Sequence, residues 1–220
     1  MRKIVTGAFV SLDGVMQAPG GPEEDPTGGF RYGGWVAPLF DEALGDAVMN
    51  DMFGEPFDLL LGRRTYDIFA AHWPYVEPGD PIGALFDKIN KYVATRNPDL
   101  KLAWRNSQTL GPDAVAAVRM LKSEDGPNLL TQGSTDFLQT LLKNDLVDEL
   151  FVSIFPLVLG KGKRLFGNGV VPAGFKLASS KTSGTGVIMC RYVRDGTVKT
   201  GSFAMQEPSE AELERRRNLT

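Results

Sequence analysis

The chain has 220 residues, 42% of them apolar and 23% charged, with a net charge of −3; it is long enough to bury a core of its own and has the balance of a globular protein. That charge gives no global basic field for nucleic acid, and no apolar run approaches the roughly 20 residues of a membrane helix. A single cysteine, Cys190, excludes an intramolecular disulfide and suits a reducing compartment, while a single histidine, His72, argues against a histidine-rich metal site or a Ser-His-Asp triad.

The first residues, MRKIVTGAFVSLDGV, are basic like a signal peptide, but the apolar segment is short and interrupted by Thr6, Ser11 and Asp13. A cytoplasmic protein is expected. Residues 2–10 read as a first strand. Residues 17–34, QAPGGPEEDPTGGFRYGG, hold six glycines and three prolines and read as a long loop, either a functional lid or disorder. Apolar residues at helical spacing from Val36 to Val48 predict an amphipathic helix over 36–53. Phe57–Leu61 is a short buried strand, and Arg64–Ala71 a helix stopped by Trp73-Pro74. A short helix over 81–90 and a strand over Lys91–Thr95 follow, with a second strand over Leu100–Trp104. Proline at the first helical position opens a helix in PDAVAAVRMLK. Asn128–Thr131 is a strand and Thr135–Lys143 a helix. Leu146–Leu159 is strongly β, and Pro156 suggests an edge or a bulge. Phe175–Ser183 and Val187–Val193 form a closing pair. No linker precedes residue 205 or so, which predicts one domain over 1–205. The tail 206–220 either frays or, through a capping pattern from Ser209 to Glu212, forms a short solvated helix.

Alternating strands and helices followed by antiparallel strands predict an α/β sheet with a mixed end. Three strand ends stand out: Gly62-Arg63-Arg64-Thr65, Thr95-Arg96-Asn97 and Gln132-Gly133-Ser134-Thr135. If these strands are parallel neighbours, all three ends face one crevice. Two lead into helix N-termini, whose free N–H groups attract anions. Gly62 and Gly133 permit close backbone approach. Arg63, Arg64 and Arg96 can fork onto phosphate oxygens. The arginines read as a site for a phosphorylated ligand, or as solvated surface charge. Neither a P-loop nor a dinucleotide-binding glycine fingerprint is present.

Four segments carry a family resemblance: VSLDGVM, DLLLGRRTYDIF, KYVATRN and LLTQGSTDFLQTLLKNDLVDELFVSIFPLVLGKGKRLF. Together they span about residues 2–193, and the chain resembles the dihydrofolate reductase-like superfamily. It is most similar to the branch that includes the C-terminal reductase domain of the bifunctional riboflavin-biosynthesis deaminase–reductase. The resemblance implies a mixed, mostly parallel sheet of about eight strands flanked by helices, with NADPH across the strand ends. Arg63, Arg64 and Thr65 would then hold adenosine-side phosphates. Thr95 and Arg96 would flank the adenine ribose and its 2′-phosphate. Gly133, Ser134 and Thr135 would hold the pyrophosphate, while Ala8 and Phe9 would border the nicotinamide.

The acid that dihydrofolate reductases carry on the first helix aligns best with Phe40, one residue before Asp41. Asp41 is therefore either a catalytic acid or solvated. Asp13 is either a turn residue beside Gly14 or a group near the nicotinamide. Trp35 matches a family-like tryptophan; with Phe53, Phe69 and Trp73 it would line a flat pocket or belong to the core. Lys161, Lys163 and Arg164, in LGKGKRLF, form either a solvated basic turn or a site for a substrate phosphate, with Lys161 and Arg164 the residues expected to bind it. The reading is an NADPH-dependent reductase of a small nitrogen heterocycle. Within it, reduction of the riboflavin pathway's phosphoribosylaminouracil is set beside a dihydrofolate reductase-related reaction. The alternative is a nucleotide-binding protein without turnover. No metal, nucleic acid or membrane is expected as a partner. A homodimer joined along Leu146–Leu159 and the closing strands is expected.

Overall fold

Leu59, Leu60 and Leu61 are all fully buried because strand β2 (Phe57–Gly62) lies in a sheet covered on both faces. The computed structural model describes residues 1–204 and 206–219. The other strands are β1 (Ile4–Ser11), β3 (Lys91–Ala94), β4 (Ser107–Thr109), β5 (Asn128–Thr131), β6 (Glu149–Phe155), β7 (Phe175–Thr182) and β8 (Ile188–Arg194). Their order is β4-β3-β2-β5-β1-β6-β8-β7. The pairs from β4 through β6 are parallel, and β8 and β7 close the sheet antiparallel. This is the mixed, mostly parallel sheet expected. The strands β3, β2 and β5 are parallel neighbours, as the crevice reading required.

The helices are α1 (Glu42–Ala47), α2 (Arg63–Ala70), α3 (Pro81–Lys88), α4 (Ala114–Ser123), α5 (Thr135–Lys143) and α6 (Glu210–Arg217). Strand alternation sends Leu59 and Leu61 into one core with Leu44 of α1, Tyr66 of α2 and Phe86 of α3. Leu60 enters a second core with Val118 of α4 and Leu138 and Leu141 of α5.

Three elements differ from expectation. The helix expected over 36–53 is broken. Ala37–Leu39 form a 3₁₀ turn containing Pro38, Phe40 is extended, and α1 then runs into a π-turn at Val48–Met52. The strand expected over Leu100–Trp104 is absent; Leu100 and Leu102 pack on the core while Trp104 N–H donates to Tyr66 Oη at 3.1 Å. The positive φ of Asn106 then turns the chain into β4. The β-run over Leu146–Leu159 is a strand only over Glu149–Phe155, because Pro156 has no N–H for the ladder. It lies between β1 and β8, so Pro156 marks its end rather than an edge. Of the region expected to join a homodimer, β6 is interior sheet and the closing strand β7 is an exposed edge; β7 carries Lys176, Lys181 and a register shift between Leu177 and Ser179, features that guard an edge. In the tail, the Ser209 hydroxyl accepts from Glu212 N–H and α6 forms.

Candidate active site

The carboxyl ends of β1, β2 and β5 open on a cavity of about 600 Å³. Ala8 and Phe9 reach it from β1, Arg64 and Thr65 from the start of α2, and Gly133, Ser134 and Thr135 from the start of α5. Of the expected site residues, these seven are brought together. Gly62 lies beneath them: its N–H donates to Gly133 O at 3.0 Å. A Cβ there would stand 2.8 Å from Ser134 N, and one on Gly133, at φ +138°, would stand 2.6 Å from Thr65 Oγ1. Both glycines therefore bring the two helix starts into contact. The Gly133–Ser134 peptide is cis. Arg63 turns outward to Asp67 at 3.0 Å. Thr95 and Arg96 follow β3, outside the cavity wall, where Thr95 Oγ1 accepts from Asn97 N–H.

The two helix starts share a second property. Among the described residues, α1, α3, α4 and α6 each have a side-chain N-cap: Asp41, Asp80, Asp113 and Ser209. Neither α2 nor α5 has one. Their first-turn N–H groups lack that partner where Arg64, Thr65, Ser134 and Thr135 line the cavity.

The loop over 17–34 packs against this mouth. Gln17 anchors it: its Nε2 donates to Asp25 O and Thr27 O, its Oε1 accepts from Lys163 N–H, and its carbonyl accepts from Trp35 Nε1. Asp25 lies 2.5 Å from Lys163 Nζ and 3.5 Å from Arg64 Nη1, and Thr27 Oγ1 accepts from both cations. Burial pushes the Asp25 carboxyl upward, but the hydrogen bonds from Lys163 and Thr27 outweigh it and hold the group below the usual range. Glu24 behaves oppositely. Burial raises its carboxyl, and hydrogen bonds from the Gly20 and Gly21 N–H groups only partly offset this. Gln132 adds a buried Oε1 without a partner.

The other end of the cavity is aromatic. Phe40, Met52, Phe53, Phe69, Trp73 and Phe86 line it. Phe86 stands 5.2 Å from Trp73, 5.5 Å from Phe53 and 5.9 Å from Phe69, centroid to centroid. Phe53 and Phe69 thus serve as both core and wall.

The remaining expected residues lie elsewhere. Asp13 accepts from Ser11 Oγ at 2.7 Å and from the Leu159 and Gly160 N–H groups at 3.0 and 2.9 Å. The Ser11 hydroxyl, then Leu159 N–H, hold its carboxyl below the usual range. Asp13 thereby ties the end of β1 to the loop after β6 and does not line the cavity. Asp41 caps α1 and also accepts from Thr185 N–H; the Leu44 N–H chiefly lowers its carboxyl. It too is outside the cavity wall. Trp35 is buried, edge-on to Phe155 at 5.2 Å. Arg164 bonds the Asp13 carbonyl and carboxylate. It stands opposite Val15 in an antiparallel bridge, and the alternation of extended chain turns its neighbour Lys163 to the cavity instead. Lys161 is exposed, with its Nζ near Gly29. The sequence marks Lys163 only as part of the basic loop, with Lys161 and Arg164 the residues favoured there, and it does not single out Glu24 and Asp25. The acidic run EED beside glycines is the available signal for those two.

Residues 2–189 match the family described as the RibD C-terminal domain. The chain belongs to the RibD C-terminal domain family. It is 26% identical over 201 residues to the uncharacterized protein YyaP of Bacillus subtilis strain 168, covering 89% of this chain and 96% of that protein. Among solved structures, this RibD C-terminal-type chain resembles a putative riboflavin biosynthesis protein from Shewanella sp. PV-4. That match has a TM-score of 0.67 at 20% identity and covers 88% of this chain and 99% of the other. It also resembles dihydrofolate reductase from Enterococcus faecalis, a structure holding NADP(H), with a TM-score of 0.56 at 12% identity and coverage of 88% and 96%. The fold is dihydrofolate reductase-like. Among the described residues no helix is long and apolar enough to cross a membrane.

Proposed function

We propose that this member of the RibD C-terminal domain family is an NADPH-dependent reductase of a small planar molecule. One observation carries the reading. The two α-helices without side-chain caps, α2 and α5, start side by side at the cavity, flanked by Arg64, Thr65, Ser134, Thr135 and Lys163. A pyrophosphate would supply the missing caps, since anions are stabilised at helix starts. The residues present therefore fit the phosphates of the cofactor. Arg63 and Arg96, exposed beyond the cavity at the ends of β2 and β3, are the cations for a 2′-phosphate.

When bound, NADPH would supply the hydride. In this reading α2 and α5 bind the phosphates, Ala8 and Phe9 at the end of β1 border the nicotinamide, and the aromatic end positions the acceptor and excludes water. Neither Asp13 nor Asp41 delivers the proton directly, since both lie outside the cavity wall, and the titratable groups that do line it include Glu24 and His72. The absence of both expected acids from the wall favours a second reading, a nucleotide-binding protein without turnover. Rapid mixing of the protein with one equivalent of NADPH and a panel of pterins, aminouracils and cyclic imines separates them. Loss of the reduced-nicotinamide absorbance with at least one acceptor is expected. Tight NADPH binding with no oxidation across the panel would favour the second reading.

A further inference from the structure

Helix α2 runs from the phosphate end of the cavity to its aromatic end. Arg64, Thr65, Ile68, Phe69 and then His72 all line the cavity, the spacing of one helical face. Each turn advances about 5.4 Å, so the wall changes from guanidinium and hydroxyl to hydrocarbon and aromatic ring within two turns. At the far end Trp73, Phe69 and Phe53 surround Phe86 with centroids 5.2–5.9 Å away, and Met52 and Ile82 complete the wall.

Two chemical groups are poorly matched there. A phosphate would need a cation, and Arg164 is held by Asp13 while Lys161 lies by Gly29, outside the cavity wall. The lining guanidinium and ammonium groups, Arg64 and Lys163, are both joined to Asp25 at the mouth, which leaves the single imidazole of His72, 4.8 Å from the Trp73 ring, at the aromatic end. An amidine-like edge, as on an aminopyrimidine or a pterin, would need a carboxylate. The carboxylates that line the cavity are Glu24, Asp25 and Asp136. Asp25 is bound to Lys163, Glu24 accepts from the amides of Gly20 and Gly21 through Oε2, and the lining Gln132 adds a buried, unpartnered Oε1, an uncharged acceptor suited to an uncharged N–H. Asp136 is in the first turn of α5. Burying either group against aromatic carbon without a partner is unfavourable, whereas a neutral ring gains stacking and loses little hydration.

We propose that the aromatic end binds a neutral, planar heteroaromatic molecule that carries no phosphate, and that this class is the physiological acceptor. Calling it the acceptor rests on the reductase reading; its binding does not. The site therefore differs from one built for a phosphoribosylaminouracil.

The test uses the full chain and lumichrome, a neutral three-ring probe, beside the phosphoribosylaminouracil, with affinities read by calorimetry in the absence and presence of saturating NADPH. Lumichrome is expected to bind at least tenfold more tightly than the phosphorylated compound and to remain bound with NADPH. Trp73→Ala should weaken lumichrome about tenfold, the order of a lost stacking partner, while Trp73→Phe restores most of it and both variants keep wild-type NADPH affinity. Tighter binding of the phosphorylated compound, displacement of lumichrome by NADPH, or indifference of lumichrome to Trp73→Ala would each overturn the proposal. Lumichrome binding that depends on Trp73 in a protein with no affinity for NADPH would leave the binding inference standing and remove the reductase reading.

Discussion

Lys91 is the least expected single residue in the core. It is fully buried on β3, with Nζ donating to Arg105 O at 3.0 Å and lying 4.3 Å from the Trp104 ring centroid. Burial lowers its pKa from 10.5 to about 8, against the opposing pull of Asp58. Between those values the unfolded chain holds a proton that the folded protein has shed, so this group makes stability rise with pH across the window. The full rise is on the order of 3 kcal/mol. Chemical denaturation of wild type and Lys91→Met from pH 7 to 10.5 should show wild type gaining stability relative to the variant by that order as pH rises. A constant difference would mean that Lys91 keeps an ordinary pKa. Nothing in the local sequence KYVAT marks Lys91 as buried; its partners Trp104 and Arg105 arrive from a segment that reads as a strand and folds as a loop. Arg2 was equally illegible. It reads as the basic start of a signal-like segment, yet it forms a buried pair with Asp58 at 2.5 Å.

At the scale of elements, the strands that carry the site were legible because each is a short apolar run ending in glycine or a hydroxyl residue: DLLLGRRT and LLTQGST. The glycines are required by contact between elements. Gly62→Ala would push a methyl group against Ser134 N and Phe137 Cβ, at 2.8 and 2.9 Å. We expect a loss of about 1–3 kcal/mol in stability together with weaker NADPH binding, because the same shift parts the starts of α2 and α5. A destabilised variant with wild-type cofactor affinity would separate the two effects. The loop over 17–34 was legible as an element but not in its contacts, since the pairing of Asp25 with Lys163 joins residues 138 positions apart. In this conformation Asp25 lies where it neutralises two cations of the phosphate end. Asp25→Asn should release them and tighten NADPH several-fold, an effect that salt diminishes. Weaker binding by the variant would show instead that Asp25 holds the cations in their binding positions. The break in the helix over 36–53 was signalled by Pro38, but its apolar spacing continues through the break and hides it.

For the whole molecule, the order of elements along the chain was enough to indicate a parallel sheet with an antiparallel close, because crossover helices force neighbouring strands to run the same way. It did not show which surfaces remain free: β6 reads as an exposed β-run and is enclosed by β1 and β8. Nor did it show which side of the loop after β6 faces the cavity, and so Lys161 and Arg164 were selected where Lys163 is the lining cation. The central claim is that the paired starts of α2 and α5, with the arginines around them, hold NADPH. Fluorescence titration of wild type, Arg64→Ala and Arg96→Ala with NADPH and NADH tests it directly. NADPH is expected to bind wild type about ten- to a hundredfold more tightly than NADH, the worth of one charge-assisted contact, with Arg96→Ala erasing most of that preference and Arg64→Ala weakening both cofactors. Equal affinity of the wild-type protein for the two cofactors, or no measurable binding of either, would contradict it.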